Sequence, residues 1–121
     1  MIKINLAEAF SRFDDAWNPR ILGDVNQFQV KIARMRGVFE WHAHALEDEV
    51  FLVIAGRLRM ELRDRVIDLE PGEMLIVPHG TEHRPQALGE ECQVLLFEPA
   101  TTLNTGTLRS ERTRDVLERI G

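Results

Sequence analysis

The chain has 121 residues, 44% of them hydrophobic, and a formal net charge of -5 at pH 7. This length predicts one domain over residues 1–121, with enough apolar residues to bury a core. The negative charge argues against a partner that requires a basic face, so we expect neither nucleic acid nor a membrane as partner. The single cysteine, Cys92, has no intrachain disulfide partner, and no apolar run approaches the length of a membrane span. We therefore expect a cytoplasmic protein.

Residues 5–16 are predicted to form a short amphipathic helix. Asn5 is a suitable N-cap residue, and Leu6, Phe10 and Phe13 share one helical face. A helix of this length and pattern is expected to cover one side of a larger body rather than to stand alone.

Short strands separated by turns are predicted from about residue 25 to Pro99, after a loop that contains Pro19 and Gly23. In NQFQVKIARM and RLRMELR, apolar and polar residues alternate, as they do in half-buried strands. VFLVIA and MLIV are continuously apolar, which predicts that both of their faces are covered. The pattern is typical of an all-β sandwich or barrel.

The tail over residues 101–121 has a different composition. Ser110 is predicted to cap a short helix, in which Val116, Leu117 and Ile120 form a narrow apolar stripe. Such a helix packs either on the barrel or on a second subunit, and the sequence does not choose between them.

The histidines form the pattern that points to chemistry. His42 and His44 are one residue apart, so a strand would present both imidazoles on one side. Glu49 begins the next predicted strand, and a turn of about four residues would return its carboxylate to the histidine pair. His83 follows the turn PHG and begins another strand. Three imidazole nitrogens and one carboxylate oxygen suit Fe, Mn, Co, Ni, Cu or Zn rather than calcium.

Each of these residues also has a plain structural interpretation, because a lone histidine in a strand is more often at the surface or hydrogen-bonded in the core. However, all four histidines of the chain lie between residues 42 and 83, and three are at strand edges beside turns. Core packing alone does not explain that distribution.

Two stretches resemble the conserved motifs of the cupin superfamily. Residues 37–56 are similar to the first motif, which joins a glycine, H-x-H, a glutamate and a second glycine. Residues 72–83 are similar to the second, which joins a glycine, P-x-G, a histidine and an asparagine. Two positions depart from the pattern: Gly37 is one residue closer to His42, and Ala87 replaces the final asparagine. Flanking stretches extend the similarity to small single-domain cupins over most of the chain.

The resemblance implies an all-β fold, a cupin jelly-roll barrel with its core at about residues 25–99, a short N-terminal helix and a C-terminal tail or helix. It implies one divalent transition metal ion per chain (Fe, Mn, Ni, Zn, Co or Cu), with the ligands His42, His44, Glu49 and His83. A homodimer is also expected, because barrels of this kind often pair.

The expected function is that of a metal-dependent enzyme acting on a small organic substrate, of the dioxygenase or isomerase type. The alternative is a non-catalytic metal-binding cupin that binds or senses a small-molecule ligand; a vestigial site is the least favoured interpretation. The chain contains no tyrosine, which excludes a tyrosine acid or base and a cysteine–tyrosine crosslink.

Four further residues are considered near this site. Glu40 is two residues before His42, so on a regular strand its side chain would point to the same side as those of His42 and His44. It is therefore a candidate general base unless a tight turn rotates it out of the barrel. His79, in the PHG turn, is predicted at the surface rather than beside the metal. Arg34 and Arg84 would hold an anionic substrate only if they face the cavity, and Arg84 is predicted to point away because it directly follows a ligand.

Overall fold

The structure is a computed structural model that describes residues 1–121. It contains one helix and six strands: α1 (Leu6–Phe10), β1 (Arg20–Val25), β2 (Phe28–Met35), β3 (Glu49–Leu62), β4 (Val66–Leu69), β5 (Met74–Val77) and β6 (His83–Pro99). All strand pairs are antiparallel, in the order β1-β2-β6-β3-β4, and β5 also pairs with β3. The predicted all-β fold with a short N-terminal helix is confirmed. No helix is long and apolar enough to cross a membrane.

The two longest strands bend so strongly that residues from distant parts of the sheet meet inside it. His83 pairs with Leu62 at the end of β3, yet its Nε2 lies 3.4 Å from Oε1 of Glu49, the first residue of β3. The register of β3 against β6 shifts around Gly56, which has a φ of +77°. A Cβ atom at this position would collide with the carbonyl oxygen of Glu91, so the bend requires glycine.

The hydrophobic core fills the inside of this curled sheet. Leu58 and Met60 are fully buried on β3, as their alternation with arginine and glutamate predicted. A second, smaller cluster lies between α1 and the outer side of the sheet; it consists of Ala9, Phe10, Phe13, Leu22 and Ile32. The helix therefore covers one part of the barrel wall, as expected.

Helix α1 is shorter than the predicted helix over residues 5–16. Asn5 is the N-cap, and its Oδ1 accepts a hydrogen bond from the backbone N–H of Glu8 at 3.0 Å. The helix ends at Phe10 because the guanidinium of Arg34 donates to the carbonyl oxygens of Phe10 and Phe13, at 2.7 and 2.9 Å. Those bonds replace the partners that a longer helix would supply.

Residues 20–24 of the loop predicted around Pro19 and Gly23 belong instead to strand β1, whereas residues 17–19 lie outside any strand as predicted. This strand pairs with β2 over its whole length, and its register shifts between Ile21 and Gly23. A glycine at such a bulge is compatible with a strand, so the prediction of a loop was wrong over residues 20–24.

The part of the outer side of the sheet that α1 does not cover carries exposed apolar residues. Within one chain only one face of MLIV is covered, because Met74 and Ile76 are 54% and 57% exposed; coverage of the other face requires a second chain. Ile76 pairs with Val50, and Met74 pairs with Leu52. We call this surface the outer sheet face; it comprises Phe28, Val50, Leu52, Met74, Ile76 and Phe97, and it is bordered by Val30 and Leu95, which pack against the cluster under α1.

The tail over residues 101–121 forms turns and no helix, so the predicted helix after Ser110 is wrong. Side chains of the tail bond its own backbone instead: Asn104 donates to the carbonyl of Arg112 and accepts from the N–H of Arg114, both at 2.8 Å. Such bonds compete with helical ones. The tail packs on the barrel, where the N–H of Ile120 donates to the carbonyl of Ile21 at 2.9 Å.

Candidate metal centre

Four side chains from three parts of the chain meet inside the barrel. Glu49 begins β3, His83 begins β6, and His42 and His44 lie in the segment before β3. All four are buried, and one nitrogen or oxygen atom of each lies within 4.8 Å of those of the others. Oε1 of Glu49 is 2.8 Å from Nε2 of His44 and 3.4 Å from Nε2 of His83. The sequence-predicted ligand set is therefore brought together, with the turn back to Glu49 as expected.

The H-x-H pair lies on an extended segment rather than on the predicted regular strand. His42 and His83 form an isolated antiparallel bridge, with N–H to carbonyl distances of 3.1 and 2.9 Å. This bridge fixes the spacing between their side chains. The alternation that places His44 beside His42 holds because the backbone is extended there.

Backbone carbonyl groups orient two of the imidazoles. Nδ1 of His42 lies 2.8 Å from the carbonyl oxygen of Glu40, and Nδ1 of His83 lies 2.8 Å from that of Thr81. A carbonyl oxygen only accepts, so each Nδ1 carries the proton and each Nε2 keeps its lone pair. Metal-binding histidines are typically held in this way.

The pKa values of the site residues favour the binding of a cation. Burial, followed by the neighbouring His83, lowers the pKa of His42 to about 4, so this imidazole is neutral at physiological pH. Burial opposes ionisation of Glu49, but the neighbouring carboxyl group of Glu98 and the contacts with His44 hold the pKa of Glu49 well below its usual value. Burial and then the adjacent Glu49 raise the pKa of Glu98 well above its usual value.

Several buried atoms of the cluster have no hydrogen-bonding partner. They include Nε2 of His44, Nε2 of His83 and Oε1 of Glu49. Close but unbonded acceptor atoms are unfavourable in a protein interior, since each loses its water and gains nothing. A cation at their centre would satisfy all of them, so the donor set fits a metal ion.

The comparison with protein families agrees with the fold and the cluster. The cupin domain model matches residues 29–98, which is more than half of the chain. The protein belongs to the cupin family.

Solved structures share this cupin fold. A cupin-2 domain containing protein from Shewanella frigidimarina NCIMB 400 is 44% identical, with a TM-score of 0.77 over 79% of this chain and 93% of that one. Protein NMB1881 from Neisseria meningitidis is 27% identical, with a TM-score of 0.74 over 82% of this chain and all of that one. The expected jelly-roll barrel is thus confirmed.

A similar sequence occurs in Bacillus subtilis (strain 168). Its uncharacterized protein YdbB is 33% identical over 67 residues, which make up 54% of this chain and 59% of YdbB. The match therefore spans less than two thirds of that protein.

The cupin barrel encloses a cavity beside the four side chains. It holds about 490 Å³ of empty space, its opening to solvent included. Its apolar wall includes Trp17, Met35, Phe39, Phe51 and Leu96, and its polar members are Lys31, His42, Glu49, Glu98 and Asn104. Trp17 and Phe39 stack with their ring centroids 4.7 Å apart. A small ligand in this cavity would thus contact aromatic rings and the metal centre together.

The other candidate residues lie outside this cavity. Glu40 is half-buried, and its Oε1 accepts a hydrogen bond from Oγ of Ser110. His79 is exposed, as predicted, with its Nδ1 2.8 Å from Oδ1 of Asp48.

The two arginines considered as anion binders are engaged elsewhere. Arg34 pairs with Glu91 at 2.6 Å, and Arg84 pairs with Glu61 at 2.8 Å. Neither lines the cavity, so the structure gives no support to a role in substrate binding.

Sequence reasoning missed Lys31 and Glu98, which both line the cavity. Lys31 lies between Val30 and Ile32, and the alternation of these apolar residues with polar ones predicted that they point inward and that Lys31 points outward. In the structure both faces of β2 are covered there, since Lys31, Ile32 and Ala33 are each at most 1% exposed. The sequence contained one indication: Glu98 is four residues after the buried Val94 on the same strand, so the two side chains point to the same face of the sheet.

Proposed function

We propose that this cupin is a metal-dependent enzyme that acts on a small organic molecule. His42, His44, Glu49 and His83 would hold one divalent transition metal ion per chain. The observation that carries this proposal is the set of buried imidazole and carboxylate atoms that face one another without hydrogen-bonding partners. Four protein ligands leave room in the coordination sphere for water or a substrate, which a catalytic ion needs.

The donor set defines the chemistry that is available. Three imidazole nitrogens and one carboxylate suit Fe, Mn, Ni, Zn, Co or Cu. When bound, such an ion supplies Lewis acidity to a substrate oxygen or, if it is redox-active, a site for dioxygen. These two chemistries correspond to an isomerase and a dioxygenase.

The residues around the centre supply orientation and a dry environment. The carbonyl groups of Glu40 and Thr81 keep the protons of two ligands on Nδ1, and the rings of Phe39 and Phe51 face the cavity. An apolar wall strengthens the electrostatic interactions within it because the local dielectric constant is low. No tyrosine is present to act as acid or base, so a proton must move through another group or through water.

Elemental analysis of the protein, purified after growth with Fe, Mn, Ni and Zn, tests the metal-binding part of the proposal. We expect about one transition metal ion per chain. Oxygen uptake with a panel of enediols, thiols and diketones then tests the dioxygenase form. If the protein binds metal but no compound causes oxygen uptake, isomerisation of the same compounds is measured by NMR. Bound metal with no turnover in either assay supports the binding or sensing alternative. No bound metal under any of these conditions contradicts both.

We also propose that a second copy of the chain covers the outer sheet face. In register, this face and its border present two rows of apolar residues across β6, β3 and β5, with no charged residue in either row: Phe97–Val50–Ile76 and Leu95–Leu52–Met74. An exposed apolar patch of this kind is typical of an interface. Because the patch is apolar, the same surface of a second chain is chemically complementary to it, as in a twofold dimer.

A further inference from the structure

A charged pair lies inside the barrel, next to the four side chains of the metal centre. Lys31 donates from Nζ to Oε1 of Glu98 at 2.8 Å, and the two side chains are 2% and 3% exposed. Both line the cavity that also contains His42 and Glu49. Removing an ammonium and a carboxylate from water is costly, so a pair in this place is weak evidence for stability and calls for another explanation.

The register of the sheet fixes the pair beside the metal centre. Val50 pairs with Phe97, so Glu49 and Glu98 are neighbours across β3 and β6. Lys31 reaches Glu98 from β2, on the other side of β6. The three charged side chains therefore run across the wall of the cavity in the order Glu49, Glu98, Lys31.

The charges in this row do not cancel when a divalent ion is bound. The ion and the Lys31 ammonium contribute three positive charges, whereas Glu49 and Glu98 contribute at most two negative charges. Much of the remaining wall is apolar, with Phe39 and Phe51 among its members. A net positive charge in such surroundings is unfavourable unless an anion accompanies it.

The Lys31 ammonium has the hydrogen-bonding capacity to hold that anion. It carries three N–H donors, and Oε1 of Glu98 is the one side-chain acceptor that the structure gives it. A carboxylate accepts charge-assisted hydrogen bonds from an ammonium, and one carboxylate supplies the single negative charge that remains to be balanced when both glutamates are ionised.

We propose that Lys31 is the anion-binding group of this cavity and that the ligand is a small organic monocarboxylate. The ligand carboxylate accepts hydrogen bonds from Nζ of Lys31, while its carbon skeleton packs against Phe39 and Phe51. Glu98 holds the ammonium in place. The inference rests on the proposed metal-dependent function, because without the ion the row carries no excess positive charge.

The test uses the full chain loaded with Co(II), whose visible spectrum responds to ligands near the ion. Propionate is the probe, and propionamide is its uncharged counterpart. The variant combines Lys31→Met with Glu98→Leu, which removes the pair without leaving one buried charge uncompensated. Lys3→Met is the matched control, since Lys3 is the other lysine of the chain and is exposed.

We expect the wild type and Lys3→Met to bind propionate equally, and the double variant to bind it at least about tenfold more weakly. Propionamide should bind weakly and equally to all three proteins. Equal propionate affinity in the Co(II)-loaded wild type and double variant overturns the inference, as does a wild-type spectrum that propionate leaves unchanged. A wild-type chain that takes up no Co(II) contradicts the proposed function instead. If the double variant does not retain Co(II), Lys31→Gln, which keeps a donor for Glu98 but no charge, provides the same comparison.

Discussion

Ser110 donates a hydrogen bond from Oγ to Oε1 of Glu40 at 2.8 Å, and this bond ties the C-terminal tail to the segment that carries the H-x-H pair. A second link lies next to it, where Arg112 donates to the carbonyl oxygen of Val38 at 2.9 Å. The tail also contributes Asn104 to the wall of the cavity. The order of the tail and the shape of the cavity are therefore coupled.

Ser110→Ala should loosen the tail while leaving the barrel folded. Two hydrogen bonds of Oγ are lost, the one donated to Glu40 and the one accepted from the backbone N–H of Arg112 at 3.1 Å, and each is worth about 1 kcal/mol. Limited trypsin digestion measures the effect, because the tail contains four arginines as cleavage sites. Ser11→Ala is the matched control, since Ser11 is exposed and its hydroxyl bonds within α1. Equal cleavage rates in both variants would contradict the coupling.

Glu40→Gln separates the role of Glu40 in holding the tail from its candidate role as a general base. The amide oxygen still accepts from Ser110, so we expect tail cleavage at the wild-type rate. An amide does not take up a proton, however. If turnover of a substrate found in the panel disappears while the tail stays protected, Glu40 is a general base; unchanged turnover rules that role out.

His44→Ala should remove most of the metal affinity and leave a folded barrel. His44 supplies Nε2, 2.8 Å from Oε1 of Glu49, and no other buried donor replaces it. His79→Ala is the control, because His79 is exposed on a turn. Metal content and far-ultraviolet circular dichroism are measured together on both variants. Stoichiometric metal in folded His44→Ala would disprove the ligand assignment.

Three residues of the candidate site, His42, His44 and Glu49, could be brought together from local spacing, whereas His83 was added by its place after the PHG turn and by the resemblance to the cupin motifs. His42 and His44 face the same way on any extended segment, and a short turn returns Glu49 to them. The buried positions Leu58 and Met60 follow from the same alternation. These features depend on a few neighbouring residues, which a sequence displays directly.

The features that were missed depend on contacts between distant residues. The helix ends at Phe10 because Arg34 binds its carbonyl, and the tail turns because Asn104 binds residues eight and ten positions away. Lys31 was not recognised as a cavity residue because α1 covers the opposite face of its strand. No pattern within β2 or the tail carries that information.

Gly106→Ala should destabilise the protein more than Gly89→Ala. Both glycines have positive φ, at +61° and +74°, so both substitutions carry similar backbone strain. A Cβ atom at position 106 would also collide with the carbonyl oxygen of Ala43 and lie 3.3 Å from Nδ1 of His44, whereas position 89 is open. We expect losses in the free energy of unfolding of about 3 and about 1 kcal/mol respectively, measured by urea denaturation. Equal losses in the free energy of unfolding would show that the tail at residue 106 is not in close contact with the segment that carries His44.

The thiol of Cys92 should resist alkylation in the native protein as the pH rises through 9. Burial, and secondarily the charge of Glu91, raises the pKa of Cys92 from 9.0 to about 12. Between these values the folded chain keeps a proton that the unfolded chain has lost. The contribution of this group to stability is therefore complete below pH 9 and disappears as the pH rises towards 12.

Iodoacetamide labelling followed by mass spectrometry measures this effect on the single thiol of the chain. The protein in urea is the control, and its labelling rate should increase around pH 9. A native rate that increases over the same range would show that Cys92 is accessible.

Ile76→Lys should convert the proposed dimer into a monomer. Ile76 lies on the outer sheet face and is 57% exposed, so a dimer through this face would bury the new ammonium among apolar side chains. Val66→Lys is a close control, because Val66 is 55% exposed but lies on β4, outside that face. Sedimentation velocity should give the mass of two chains for the wild type and for Val66→Lys, and of one chain for Ile76→Lys. A wild-type monomer would rule out the dimer, and a dimeric Ile76→Lys would place its interface elsewhere. Because the metal centre lies on the opposite side of the sheet, metal content should be the same in all three proteins.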